Sequence, residues 1–172
     1  MNAVKAIVSA GMVVVACAVM PARADAEDIR GVIVRTLLLS EDSRLIGDVT
    51  CNVTGGPCIA FGAPNITLSL NGFTVTGQSD PAIGCKGTSV GTDTGISTNG
   101  QANIGIRGPG VVQRFQADGI LFIASVKGWV QGVTTTTNCM SGIRINPTSS
   151  EISVEGNVSV RNGHATNPCG GI

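Results

Sequence analysis

Glycine followed by isoleucine returns at a fixed interval along the second half of this chain. Gly119-Ile120 is followed 23 residues later by Gly142-Ile143, while Gly132 and Asn138 recur 24 residues on as Gly156 and Asn162. Gly110 and Gln116 hold comparable places ahead of Gly119, and Gly171-Ile172 opens a further unit. Earlier, Asn65-Ile66-Thr67-Leu68 matches Asn103-Ile104-Gly105-Ile106. A period of about two dozen residues marks an architecture in which each unit stacks on the next. A row of hairpins has no reason to restart with the same dipeptide, whereas a coil does.

Within each unit the helical template fails, because Gly recurs too often and Thr, Val, Ile and Asn dominate between the glycines. Alternation of period two fits instead, from Val32 and Val34 through "NITLSL", "GILFIA", "GIRIN" and "ISVEGNVSV". The stretch "NITLSLNGFTVTG" (65–77) reads locally as a hairpin turning at Asn71-Gly72. In a repeat the same dipeptide is a corner of the coil, and the repeat favours the corner. The expected fold is all-β: a parallel β-helix of four to five rungs with strands about 4.8 Å apart. Asn is suited to its corners by tolerating positive φ and to its interior by stacking into amide ladders.

The first 24 of the 172 residues stand apart. Met1–Lys5 is a short basic start, Ala6–Met20 is almost wholly apolar, and Ala22-Arg23-Ala24 offers a cleavage site, the layout of a secretory signal peptide. A lipoprotein with Cys17 as its modified residue is the alternative. The apolar run is short for a membrane span. Past Ala24 the chain has nine basic against eleven acidic side chains, which gives no electrostatic case for nucleic acid. Residues 25–44 read as lead-in strands and 45–172 as the repeat domain, interrupted by a Gly/Ser/Thr-rich loop insertion at 78–102 and by "GHATNP" at 163–168.

Export permits disulfides. Cys51 and Cys58 bracket the turn-rich "NVTGGP" and form the expected pair, while the pairing of Cys85, Cys139 and Cys169 is open and one thiol is left over. That odd count, together with a chain that stops as a rung opens, points to truncation at the C-terminal end. The exposed strand edge there offers end-to-end self-association.

"CIAFGAPNITLSLNGFTVTG", "GIRGPGVVQRFQADGILFIAS" and "GIRINPTSSEISVEGNVSVRNG" together resemble exported right-handed parallel β-helix proteins of the pectin-lyase-like superfamily, over about residues 45 to 172. The resemblance implies a right-handed coil. For activity it spans polysaccharide lyases and hydrolases, an accessory protein of nitrous-oxide reductase, and relatives without a catalytic site, so fold cannot choose among them. Of the hydrolases' pattern of clustered aspartates with a Gly-His and a basic residue, Asp118 before Gly119 and His164 after Gly163 are present here, and the paired Asp-Asp is absent. Ordinary glycoside hydrolysis needs two carboxylates, and Asp118 has no second acid one unit away, where Ser141 stands. A lyase would need bound Ca²⁺ and an Arg or Lys base. No metal site is otherwise indicated: His164 is the single histidine, and Met140 is the single methionine beyond the leader.

Sugar binding without cleavage fits better. Phe73 and Phe122 are in phase with inward aliphatics. Trp129 is out of phase with Val130, which leaves two readings: a ring at the surface, where it can stack on a pyranose, or a ring filling a gap between rungs. Arg144 and Arg161 alternate with inward residues and point outward. The expected function is an exported, non-catalytic scaffold or binding module for polysaccharide through Trp129, Arg144 and Arg161. A polysaccharide lyase or glycoside hydrolase using Asp118, Arg144 and His164 is the alternative.

Overall fold

The structure is a computed structural model and describes residues 26–80, 82, 85, 93–163 and 170–172. The leader, Cys17, His164 and Cys169 lie outside the described residues. Among the described residues every element is a β-strand, and no helix is long and apolar enough to cross a membrane.

The chain makes successive passes. The first gives β1 (Glu27–Ile33) and β2 (Leu37–Leu39), and the second β3 (Ser43–Cys51) and β4 (Ile59–Phe61). The third gives β5 (Thr67–Ser69), β6 (Thr74–Thr76) and β7 (Ile96–Ser97). The fourth gives β8 (Gly105–Arg107), β9 (Val111–Gln113) and β10 (Ile120–Phe122). The fifth gives β11 (Val126–Gln131), β12 (Thr134–Thr136) and β13 (Ile143–Ile145). The last holds β14 (Ser150–Glu155) and β15 (Val158–Val160).

All pairing is parallel and runs from pass to pass, in three columns. The first is β3-β5-β8-β11-β14, the second β3-β6-β9-β12-β15 and the third β2-β4-β7-β10-β13. The long β3 serves both of the first two columns, with β5 on Ser43-Arg44 and β6 on Val49-Thr50, and β1 pairs along it from the other side. The segment expected as lead-in strands is thus already part of the stack. The arrangement is consistent with solenoid winding.

Asn71-Gly72 is a corner. Both residues have positive φ (50° and 86°), and the Phe73 N–H donates to the Leu70 carbonyl at 2.9 Å, as in a hairpin turn. Yet β5 and β6 do not pair with each other; each pairs with β3 before it and with β8 or β9 after it. The left-handed conformation marks the bends generally. Asn65, Asn103, Lys127 and Glu151 adopt it on entering the first column, and Arg114, Thr137 and Arg161 on leaving the second.

The recurring Gly-Ile opens the last three strands of the third column, β7, β10 and β13, and Ile59 of β4 holds the same place after Cys58. Ile59, Ile96, Ile120 and Ile143 stack in register, each fully buried, a burial that contributes roughly 2–3 kcal/mol per side chain. Ahead of them, Gly119 is glycine because a Cβ there would lie 2.7 Å from both Asn138 Nδ2 and the Gly142 carbonyl. Gly171 takes the same place in the last pass, its carbonyl accepting the Ile143 N–H at 3.1 Å. The expected amide ladder is present. Asn138 Oδ1 accepts from the Phe115 N–H at 3.1 Å, while Asn138 Nδ2 donates to Asn162 Oδ1 at 3.0 Å and to the Val112 carbonyl at 3.3 Å.

Cys51 and Cys58 are bonded, and so are Cys85 and Cys139. The second bridge closes 54 residues and ties the irregular stretch to a turn two passes on, which by loop entropy stabilises by about 4 kcal/mol. That stretch ends sooner than its composition suggested: Ile96-Ser97, inside the expected 78–102 loop, form β7. Gly95-Ile96 is another Gly-Ile pair, hidden in a Ser/Thr-rich context.

Candidate functional site

The third column carries a buried carboxylate beside an arginine. Asp118 immediately precedes Gly119 and is 1 % exposed. Its Oδ1 accepts the Ser141 N–H at 3.0 Å, fastening one pass to the next. Its Oδ2 makes no hydrogen bond and faces Arg144 Nη1 at 3.6 Å. Arg144, on β13, points outward with its side chain 42 % exposed, and leans diagonally across the neighbouring strand to reach the acid. Burial raises the Asp118 pKa above the ordinary carboxylate value, against the lowering effects of the Ser141 N–H and the Arg144 charge. Asp118 and Arg144 are therefore brought together, while His164 lies outside the described residues. In this position the carboxylate ties one pass to the next and stands against a partly exposed guanidinium.

The outer face of the first column is different in kind. Trp129, on β11, is half-buried and faces outward, while Val130 beside it is fully buried. Along its row the register places Thr67, Gly105, Trp129 and Ser153 on successive passes. The next outward row runs Arg44, Ser69, Arg107, Gln131 and Glu155. The Arg107 guanidinium lies over the Trp129 ring, 5.4 Å from its centroid, a cation–π contact of about 0.5–1 kcal/mol at an exposed site. Trp129, Gln131, Ser153 and Glu155 line a shallow depression of about 240 Å³. Arg107, Ser69, Thr67 and Arg44 line a second, of about 440 Å³. Arg44 is already held by Asp28 at 2.7 Å. The face thus combines an aromatic ring, a guanidinium, hydroxyls, an amide and a carboxylate, groups suited to a polar ligand with apolar C–H surfaces.

The three residues selected from sequence for ligand binding sit on three different columns: Trp129 on the first, Arg161 just past β15 of the second, and Arg144 on the third. The structure does not bring them together. Trp129 keeps its surface position, and its neighbour is Arg107, which sequence reasoning missed. The signal was present, since Gly105-Ile106-Arg107 repeats the Gly-Ile-Arg of 142–144. Among the described residues no group of three or more His, Cys, Asp or Glu side chains is placed to hold a metal ion. No protein-family model, curated protein or solved structure matches this chain.

Proposed function

We propose that this chain is an exported right-handed parallel β-helix of the pectin-lyase-like type, acting as a non-catalytic scaffold or binding module whose ligand is a polysaccharide. The observation that carries this reading is the outer face of the first column, where Trp129 and Arg107 stand among Ser69, Gln131, Ser153 and Glu155. An indole offers a sugar ring an apolar surface, and the surrounding polar side chains offer hydrogen bonds to its hydroxyls. The parallel columns support the β-helix, and two disulfides are compatible with a location outside the cytoplasm. A cleaved leader ending at Ala24 would deliver the chain to the periplasm, the cell surface or the medium.

A polysaccharide lyase or hydrolase is the second reading, favoured by the Asp118–Arg144 contact. The two separate on one experiment. The chain is passed over immobilised polygalacturonate, xylan, mixed-linkage glucan and dextran, and each eluate is assayed for unsaturated product and reducing ends. A binding module is retained without product, and Trp129→Ala abolishes the retention. Product that disappears in Asp118→Asn or Arg144→Ala establishes the enzyme instead. Lack of retention on every glycan, with no product, refutes both.

A further inference from the structure

As the platform of the proposed site, Trp129 rests on the strand of the preceding pass. Gly105 lies directly beneath it, one pass earlier in the same row. A Cβ at Gly105 would fall 2.6 Å from Trp129 Cε2, closer still to Cζ2, and 2.8 Å from Thr67 Oγ1. The backbone of Gly105 is not among those in the left-handed region, so no turn geometry requires a glycine there. Space is the reason: the indole folds back from β11 across β8 and occupies the volume of the missing side chain. Two residues further along β8, Arg107 reaches over the ring. On the other side the row continues with Ser153, again a small side chain. A large residue bracketed by small ones, with a guanidinium over it, has few rotamers left, and a ring held in place before binding loses little freedom on binding.

We propose that Gly105 is a positioning residue for glycan recognition: it forms the seat that holds the Trp129 indole in its binding orientation, with Arg107 as the clamp. This rests on the reading of the outer face as the polysaccharide site. Because Trp129 is the single tryptophan in the chain, its fluorescence reports the seat directly and independently of binding. Gly105→Ala obstructs the seat with one methyl group. The group displaced is a rotatable side chain, so the fold accommodates the change while the ring is lifted.

The test uses the full chain after export, as wild type, Gly105→Ala and Arg107→Leu. Three quantities are compared: the emission maximum with its acrylamide quenching, the melting temperature, and the affinity for whichever of polygalacturonate, xylan, mixed-linkage glucan or dextran retains the wild type. The expected result for Gly105→Ala is a red-shifted emission, quenching increased about twofold and affinity lowered at least tenfold, with the melting temperature changed by no more than a few degrees. Arg107→Leu, which leaves the backbone untouched, shifts the same observables in the same direction and covers the case in which Gly105→Ala does not fold. Unchanged emission in the variants overturns the seat even if glycan binding is found. Shifted emission with affinity kept within twofold overturns the positioning role while leaving polysaccharide binding intact. A wild type that binds none of the four glycans removes the function on which the proposal stands.

Discussion

The tripeptide Gly-Ile-Arg occurs at 105–107 and again at 142–144, and the two copies do opposite things. In both, the isoleucine is fully buried and the arginine faces outward. In both, the glycine stands where a neighbouring side chain needs the room. At Gly105 the intruder is an indole on the outside of the column. At Gly142 it is the interior: a Cβ would lie 2.6 Å from Asn162 Nδ2 and closer to Ser159 Oγ and Thr135 Oγ1. Arg107 rests on a half-exposed ring, whereas Arg144 faces a carboxylate that is 1 % exposed. One copy builds an open face and the other a closed wall. An identical local sequence therefore acquires its role from what the adjacent passes place beside it.

The largest effect should come from putting a methyl group into the wall. Gly142→Ala must displace three hydrogen-bonded side chains, and a loss of about 3 kcal/mol in urea unfolding is expected. Gly105→Ala should lose less than about 1 kcal/mol, since the indole can swing outward. Equal losses would erase the distinction. Next, Asn138→Ala removes the acceptor of the buried Phe115 N–H and the donor to Asn162. It is expected to destabilise by about 2–3 kcal/mol.

Asp118→Asn probes the wall by charge. The folded state raises this pKa, so the native chain holds the proton more tightly than the unfolded one. Above the raised value the buried charge opposes folding, and that opposition fades as pH falls through the raised value toward the ordinary carboxylate range. Asparagine keeps an acceptor for the Ser141 N–H. Melting temperatures of variant and parent should therefore differ in favour of the variant at pH 7, with the gap closing as the buffer is acidified; a gap that widens in acid would contradict the assignment. The smallest effect concerns a corner. Thr137 is β-branched with φ of 53°, and Thr137→Asn should gain up to about 1 kcal/mol in the same urea titration.

How much of this was legible beforehand follows from the spacing. From β7 onward, strands recur at steps of 23 and 24 residues, as in Ile96, Ile120 and Ile143, and that half yields to inspection. The earlier steps vary, from 22 between Leu37 and Ile59 to 37 between Ile59 and Ile96, the longer one because the Cys85 stretch is inserted within the third pass, between β6 and β7. The amide ladder was legible because Asn138 and Asn162 are one period apart. The Asp118–Arg144 and Arg107–Trp129 contacts were not. Their separations of 26 and 22 residues miss the period, since long side chains lean diagonally and meet neighbours out of register. The side-chain chemistry of the candidate site lies in these diagonals, and a search for periodicity passes over it.

The bond between Cys85 and Cys139 has a mechanical consequence. A stack whose layers touch only their neighbours can unravel under tension one layer at a time, from an end inward. This rivet spans two layers and closes 54 residues, so a chain pulled at both termini cannot release that length while the bond is intact. The middle of the molecule should yield as a block, and its contour length at rupture should grow only after a reductant is added.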